Sequence, residues 1–209
     1  MIPVVRVPSK THFEFMAWCL DAGAGGIMVP HLETVEEMKA VIAACRFPPA
    51  GHRSFPPFTF LPGVTDTTPE GETIFSLANK HTAIIPQIES RLGVQNLKDI
   101  MSLEDVSAVM IGHVDLRLDM GLSGFTGNEP EYVAANQAIV EASKECNAPL
   151  MGAALGPEAI KARIDEGYRI MLNCFDLHTL AYGMIKTLGE ARVTAEEHMQ
   201  SIHSEQPKL

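Results

Sequence analysis

The sequence predicts an α/β fold built from parallel βαβ units, and three observations lead to this class. Short apolar runs alternate with amphipathic stretches of helical length along the chain. The runs are apolar at nearly every position, which is typical of strands buried on both faces. Each run is followed by a helical stretch, the pattern of parallel strands joined by crossover helices. We count six such units. A closed (β/α)₈ barrel needs eight, whereas an open doubly wound sheet accepts six.

The predicted elements follow one another in a regular order. The six apolar runs cover residues 3–7, 26–30, 82–88, 108–112, 149–153 and 169–174. The helical stretches cover about residues 11–20, 34–45, 90–101, 132–146, 157–166 and 177 onward.

Local signals mark several helix ends. Thr34 can cap a helix, and Glu37 three residues later completes a capping box. Pro157 suits the first position of a helix, and Gly167 is expected to end that helix. The last helix begins near Leu177, and its polar tail beyond residue 194 is expected to fray.

One long segment, residues 47–66, interrupts this rhythm. It contains prolines at 48, 49, 56, 57 and 62 and phenylalanines at 47, 55, 58 and 60. Loops of this length in compact domains are usually functional or disordered. Because the aromatic side chains allow this one to pack, we interpret it as a lid or a site-forming loop.

The composition narrows the class of function. The net charge is −10 and no cluster of Lys and Arg is present, so nucleic acid is not expected as a partner. No apolar run approaches the roughly 18 residues of a membrane span, and residues 1–7 do not resemble a signal peptide. We expect a cytoplasmic protein with a single domain over residues 1–209, in which 1–190 carry the βα units and 191–209 form a polar helix or tail.

The four cysteines are expected to be buried thiols. They stand far apart and match no zinc-binding spacing, at positions 19, 45, 146 and 174. Each lies in or after an apolar stretch, and free cysteine is among the most buried residue types. A reducing, intracellular compartment is the corresponding expectation.

Two carboxylates follow consecutive predicted strands. Glu89 closes the third apolar run and Asp115 follows the fourth. Ligands bind at the carboxyl ends of strands in parallel α/β folds, and neighbouring strands lie about 4.8 Å apart. Two carboxylates there would repel one another unless a cation or a proton intervened, and oxygen ligands suit Mg²⁺ or Mn²⁺. The alternative is that both are ordinary acidic residues at the starts of helices.

Other polar side chains could complete a site. Gln87 points to the same side of its strand as Glu89, where it could bind a substrate oxygen or form a satisfied core amide. Arg53 lies in the long loop, where a guanidinium could stabilise an enolate or bind a carboxylate, or simply be solvated. Four histidines are possible bases or ordinary residues, at 31, 52, 81 and 113. No Walker loop, GxGxxG turn or GxSxG elbow is present.

Several segments together resemble the HpcH/HpaI aldolase family. Residues 3–8 (PVVRVP) and 21–30 (DAGAGGIMVP) resemble its third barrel strand and the next unit, and 46–53 (RFPPAGHR) resemble its R-[YF]-P-P-x-G-x-R segment. Residues 87–90 (QIES) match its Q-I-E-[ST] metal strand. Residues 112–116 (GHVDL) and 120–121 (MG) resemble its G-P-A-D-L and M-G motifs. The resemblance covers about residues 3–190 in order.

The resemblance implies a (β/α)₈ TIM-type barrel that carries a metal-dependent lyase. Glu89 and Asp115 would bind Mg²⁺ or Mn²⁺, with Co²⁺ also possible, and the substrate would be a 2-oxo acid such as pyruvate, oxaloacetate or a hydroxy-oxo acid. Retro-aldol cleavage or oxaloacetate decarboxylation would pass through a metal-bound pyruvate enolate. Arg53 would stabilise the enolate, Gln87 would support the site, and backbone N–H groups of Val114 and Asp115 would bind the carboxylate. A homo-oligomer is also implied.

The sequence departs from the family pattern in three ways. The first two βα units, with the family's acid/base histidine, have no counterpart, which agrees with the six strands counted here. His113-Val114 replaces the usual Pro-Ala, so His113 could partly replace the lost base or point away from the site. Arg117 stands where a small residue is usual, where it could bind a second carboxylate or obstruct the site. A truncated homologue that only binds metal or ligand, and another enolate enzyme of the citrate-lyase kind, are therefore alternatives to the lyase.

Overall fold

Six strands form one sheet in chain order, as shown by a computed structural model that describes residues 1–56 and 67–204. The strands are β1 (Val4–Arg6), β2 (Gly26–Val29), β3 (Ala83–Ile88), β4 (Val109–Ile111), β5 (Leu150–Ala153) and β6 (Tyr168–Leu172). The pairs from β1 to β5 are parallel. A doubly wound sheet reverses its strand order at a switch point. The uninterrupted order therefore favours the barrel type and removes the doubly wound alternative.

The sheet is a curled half-barrel. Within the described ranges β1 and β6 stand at its two ends, and no pairing joins them. The six-strand expectation is confirmed, and the barrel is not closed by these strands.

Nine helices occur within the described residues. They are α1 (Phe13–Asp21), α2 (Val35–Cys45), α3 (Ile74–His81), α4 (Arg91–Gln95), α5 (Leu97–Met101), α6 (His113–Asp119), α7 (Pro130–Cys146), α8 (Pro157–Glu166) and α9 (Asp176–Ser204). The predicted capping box at Thr34 and Glu37 is confirmed, and Gly167 ends α8 with φ +100°. The helix predicted for residues 90–101 is broken at Asn96 into α4 and α5.

Two helices and one helix end differ from the sequence-based expectation. Neither α3 nor α6 was predicted. α3 starts at a second capping box on Thr73, and α6 follows β4 almost directly. The expected fraying beyond residue 194 is wrong, because α9 continues to Ser204. No helix of the described ranges combines the length and apolar character needed to cross a bilayer.

The two faces of the sheet carry separate apolar clusters. The helix side is the main core, to which β2 contributes Ile27 and Val29 and the helices contribute side chains such as Met38. The opposite face carries a smaller inner cluster of Ile85, Ala108 and Met110, with Met28 and Met151 packed on it. Because side chains alternate along a strand, Ala83 and Gln87 of β3 share the face of Ile85, and so does Glu89 just beyond the strand.

The chain divides into two compact units, Met1–Met171 and a second unit that begins at Leu172 and contains α9. The second unit exposes many apolar side chains of α9, including Leu180, Tyr182 and Ile185. The single domain over residues 1–209 stays a prediction.

The expectation of four buried thiols is only partly correct. Cys45 is buried, Cys19 and Cys146 are half-buried, and Cys174 is exposed. Burial raises the pKa of the Cys45 thiol to about 11, so that thiol is protonated at neutral pH. Cys174 is exposed because it lies beyond the end of β6, in the connection to α9.

Arg117 holds the loop between α6 and α7 rather than facing a substrate. Its side chain is fully buried. The guanidinium bonds both carboxylate oxygens of Glu129, at 2.6 and 2.8 Å, and the carbonyl oxygens of Ser123 and Gly124. It also lies 4.9 Å from the ring centre of Tyr132. Both roles suggested by the sequence, binding a second carboxylate of the substrate and obstructing the site, are therefore corrected to a structural one.

Acidification below about pH 4.5 is expected to remove the stabilisation that Glu129 provides. The bonds from Arg117 lower the pKa of Glu129 from 4.5 to about 2. A carboxyl whose folded-state pKa is lowered stabilises the protein above its unfolded-state pKa, and that contribution is lost as the pH falls towards the folded-state value. In thermal melts, the Tm difference between the parent and Glu129→Gln should therefore shrink from pH 5 to pH 2. Glu158→Gln, at an exposed ion pair, is the control. A constant Glu129→Gln difference would contradict the expectation.

Candidate metal and substrate site

Glu89 is a buried carboxylate that protein donors hold in one orientation. It follows β3 on the inner face and is 1% exposed. Its Oε1 accepts a hydrogen bond of 2.8 Å from the backbone N–H of His31, and its Oε2 accepts one of 2.5 Å from the side-chain amide of Gln87. Each oxygen thus receives one donor, which leaves lone pairs for a further ligand.

Gly112 allows the next strand end to approach this carboxylate. A Cβ at this position would contact Oε2 of Glu89 and lie 2.8 Å from its Cβ and 3.0 Å from Nε2 of Gln87. The requirement is one of space, because the φ of Gly112 is −86°. A side chain here would displace the carboxylate, and the close approach brings the first turn of α6 beside Glu89.

Asp115 lies in that first turn and is exposed. Burial raises the pKa of Glu89, and the negative charge of Asp115 raises it further, while the His31 N–H and the charges of His31 and Arg6 oppose the shift. The two carboxylates therefore interact, as expected for strand ends that face one point. No group of three or more His, Cys, Asp and Glu side chains suited to a metal occurs in the described part of the chain. The candidate cation site thus consists of two carboxylates.

Arg6 is a functional candidate that the sequence analysis missed. It ends β1 in register with Met28 of β2, which is in register with Ile85 of β3. It therefore shares the inner face with Glu89, and its charge favours the ionised form of that carboxylate. The rule of looking just past each apolar run overlooked it, because Arg6 lies inside the run. The signal was available, since Arg6 is the one charged residue of run 3–7.

His31 is the imidazole beside the carboxylate. Its Nδ1 lies 3.5 Å from Oε1 of Glu89, its side chain is 58% exposed, and its backbone has φ 49°. The positive φ of a non-glycine residue is uncommon and is worth functional attention. Here it accompanies the backbone bond that His31 donates to Glu89.

Arg53 lies at the opposite end of the strands from Glu89. Its Nη2 donates a 2.6 Å bond to Asp21, the last residue of α1, and its backbone N–H bonds the carbonyl of Arg46 just after α2. These helices run antiparallel to their strands, so their last residues lie at the amino-terminal ends of the strands. Arg53 also stacks on Phe47, 4.5 Å from its ring centre. The structure does not support the catalytic and substrate-binding roles predicted for Arg53.

The loop around Arg53 is only partly described. Phe47 and Phe55 both contact Phe75 of α3, with ring centres 5.1 and 5.5 Å apart, so these aromatic side chains pack as expected. The lid or site-forming role predicted for residues 47–66 stays a prediction, because residues 57–66 lie outside the described ranges.

His113 points away from the carboxylates. Its ring lies on the helix side of the sheet, with Nδ1 2.9 Å from the hydroxyl of Tyr132 and Nε2 3.2 Å from that of Tyr168. Burial lowers the pKa of His113 to about 3, and the charge of Arg163 adds to the shift. The possibility that His113 replaces a missing base at Glu89 is therefore not supported. Val114, the next residue, is 37% exposed.

Comparison with known proteins supports one family. The family model described as HpcH/HpaI aldolase/citrate lyase matches residues 1–182. A 4-hydroxy-2-oxo-heptane-1,7-dioate aldolase of Salmonella typhimurium is 32% identical over 164 residues, which are 78% of this chain and 60% of that protein. A 4-hydroxy-4-methyl-2-oxoglutarate aldolase of Chaetomium globosum is 32% identical over 124 residues, 59% of this chain and 46% of that protein. The chain thus spans about half to three-fifths of these relatives.

Among solved structures, the crystal structure of macrophomate synthase superposes with a TM-score of 0.84 at 34% identity. The match covers 94% of this chain and 68% of that one. This chain therefore corresponds to about two-thirds of the macrophomate synthase chain.

Proposed function

Because the chain belongs to the HpcH/HpaI aldolase/citrate lyase family, we propose that it is a carbon–carbon lyase acting on small 2-oxo acids. The reaction is retro-aldol cleavage of a 4-hydroxy-2-oxo acid or decarboxylation of oxaloacetate, with pyruvate as a product. The names of the aldolase relatives support the substrate class.

The observation that carries the proposal is the environment of Glu89. A carboxylate that is 1% exposed would ordinarily be paired or protonated. The described donors to Glu89 are neutral, from Gln87 and His31, while Asp115 adds a second negative charge nearby. Burial and the charge of Asp115 outweigh the opposing charges of His31 and Arg6, so the pKa of Glu89 is raised and a bound cation would favour the ionised carboxylate.

The donor set fits a hard divalent cation. Mg²⁺ is usually held by one or two carboxylates and keeps its other positions for water and substrate oxygens. Glu89 and Asp115 would hold Mg²⁺ or Mn²⁺, with Co²⁺ as a further possibility, and Gln87 would orient Glu89. A cation bound there supplies a Lewis acid for the keto and carboxylate oxygens of a 2-oxo acid.

The remaining chemistry falls to side chains and backbone groups of the inner face. Arg6 is placed to stabilise the negative charge that develops on the enolate oxygen. The first backbone N–H groups of α6, around Val114 and Asp115, receive no side-chain cap, so they are available to a substrate carboxylate. His31 is the described imidazole beside Glu89 and the candidate for proton transfer in retro-aldol cleavage.

Decarboxylation makes the smaller demand on this set of residues. The C–C bond to the departing carboxylate breaks, CO₂ leaves, and the electron pair forms the enolate, which later takes a proton at carbon. No base is needed to remove a hydroxyl proton, so this reaction requires only the strand-end groups. The cytoplasmic location and homo-oligomeric state expected from the sequence remain part of the proposal.

Incubation with oxaloacetate and Mn²⁺ is the direct test. We expect pyruvate formation above the rate with Mn²⁺ alone, and we expect EDTA to reduce the rate to the background without metal. Parallel reactions with 4-hydroxy-2-oxo-heptanedioate would show whether cleavage occurs as well. A rate equal to the protein-free control with both substrates would contradict the lyase.

A metal- or ligand-binding protein without turnover is the second candidate. In the described ranges β1 and β6 do not pair, so these strands leave the inner face open. Catalysis by a lyase is favoured when water is excluded from the site, and the open face therefore favours binding without turnover. Saturable binding of Mn²⁺ to a chain that leaves both substrates intact would support this candidate.

A further inference from the structure

A cavity lies on the helix side of the sheet, and Glu89 is not among the residues that line it. It has a volume of about 600 Å³ and is lined by one face of α7, the preceding loop residues 125–128, His113, two residues of α8 and the start of β6. All of its lining residues belong to the first compact unit. The volume falls within the roughly 300–1,000 Å³ of small-molecule sites. Nothing in the proposed lyase reaction uses this cavity.

The base of the cavity carries a chain of three hydrogen-bonding groups. The imidazole of His113 bridges the hydroxyls of Tyr132 and Tyr168, at 2.9 and 3.2 Å. A neutral imidazole and two hydroxyls have three protons, and the two bridging bonds use two of them. A protonated imidazole would leave two protons over. Whether His113 is neutral or protonated, at least one tyrosine hydroxyl proton is therefore not used between these three side chains and can be donated to another acceptor.

Aromatic rings and amides form the walls. Phe125, Tyr132 and Tyr168 contribute rings, and Asn136 and Gln137 contribute carboxamides. The amide nitrogen of Asn136 donates to the backbone carbonyl of Tyr132, which leaves the amide oxygen as an acceptor. Such walls suit a planar ring that carries both a donor and an acceptor.

The charges around the cavity are balanced. Arg163 is paired with Glu166 at 2.6 Å and lies 4.8 Å from the ring centre of Tyr168. Lys144 and Glu141 stand one turn apart on α7 and offset one another. A charged ligand would therefore be attracted by two of these side chains and repelled by the other two. This balance favours an uncharged ligand.

We propose that this cavity is a binding site for small, uncharged, planar aromatic carboxamides and related heteroaromatic rings. The carbonyl oxygen of the ligand accepts the remaining hydroxyl proton of the Tyr132–His113–Tyr168 chain, and its ring packs against Phe125 and Val133. The proposal does not depend on the proposed lyase activity.

Titration of the full chain with benzamide, followed by ¹H–¹⁵N NMR, tests the proposal. We expect saturable shifts at α7 and at residues 125–128, with a Kd on the order of millimolar for a ligand of this size. Benzoate tests the charge preference and cyclohexanecarboxamide tests the planarity, and both should bind at least about threefold more weakly than benzamide.

Three variants locate the site. Val133→Trp, at a position that is 37% exposed, should fill the cavity and abolish the shifts. Tyr132→Phe keeps the ring, removes the hydroxyl and should weaken binding by about threefold to tenfold. Asp115→Asn, in the first turn of α6 and not among the residues that line the cavity, should leave benzamide binding unchanged.

Several outcomes would overturn the proposal. They include the absence of saturable shifts up to about tenfold the expected Kd, unchanged binding in a folded Val133→Trp protein, and loss of binding in Asp115→Asn. The NMR spectrum of each variant reports folding directly, so a misfolded variant is replaced by Gln137→Trp at the same face of α7. Equal binding of benzoate and benzamide would also contradict the inferred preference for an uncharged ligand.

Discussion

Asp115→Asn is expected to reduce Mn²⁺-dependent turnover of oxaloacetate by about 10³-fold. The substitution preserves the size of the side chain and removes the second negative charge beside Glu89. Lewis-acid assistance contributes several kcal/mol to the stabilisation of a transition state, and about 4 kcal/mol corresponds to 10³-fold in rate. The measurements are kcat/KM for pyruvate formation and the Kd of Mn²⁺ by calorimetry.

Asp119→Asn is the matched control for this change. Asp119 lies one turn further along the same helix, is exposed, and bonds the backbone N–H of Arg91 at 2.7 Å. Its loss removes one carboxylate from α6 without altering the pair at Glu89. We expect kcat/KM and Mn²⁺ affinity within about twofold of the parent protein. Equal losses in both variants would indicate a general effect of charge on α6, and an active Asp115→Asn protein would refute the two-carboxylate site.

Arg6→Ala is expected to lower kcat by about 10² to 10³, the range measured when one preorganised donor to a developing oxyanion is removed. Arg6 is exposed and lies outside the buried core, so Tm should change little. The effect should appear in kcat more than in KM, because the enolate charge develops only along the reaction. Steady-state kinetics with oxaloacetate and a thermal melt of the same samples provide the measurement.

Arg53→Ala should show the reverse pattern. Arg53 is 8% exposed, and its guanidinium donates a hydrogen bond to Asp21 and stacks on Phe47. Removing one partner of a largely buried ion pair destabilises a protein by about 3 kcal/mol or more, so Tm should fall clearly. At a temperature where the variant is folded, kcat should stay near the parent value. A stable Arg53→Ala protein with a strongly reduced kcat would restore the role predicted from the sequence.

The two arginines and the two carboxylates show which positions local sequence signals can indicate and which they cannot. Glu89 and Asp115 were identified because both follow apolar runs, and the carboxyl ends of parallel strands meet at one edge of the sheet. Arg53 was predicted to stabilise the enolate because of a motif in the long loop. Local sequence does not indicate which end of the sheet a loop approaches, and this loop places Arg53 at the amino-terminal ends of the strands. Arg6 reaches the inner face through the register of β1 with β2, which is a long-range property.

The helices divide in the same way. Thr34 and Glu37 specify a helix start within four residues, so the capping box could be predicted from the sequence and is present. The seven-residue helix α6 has no side-chain cap that would mark its start in the sequence. What accompanies this helix is burial of Leu116 and Arg117, which depends on tertiary packing. The sequence did not indicate whether the His113 side chain faces the carboxylates or points away from them. Its contacts with Tyr132 of α7 and Tyr168 of β6 show that it faces the helix layer.

The sequence by itself therefore determined the α/β class, the six strands, most helix bounds and the positions of Glu89 and Asp115 after consecutive strands. These features depend on the period of apolar residues and on neighbours a few positions apart. The tertiary structure decided between the barrel-type and doubly wound strand orders that the apolar pattern left open. It alone decided the place of each arginine, the direction of His113 and the cavity beside α7. Those features depend on register and on packing between elements far apart in the chain, and such contacts leave no signature in local composition.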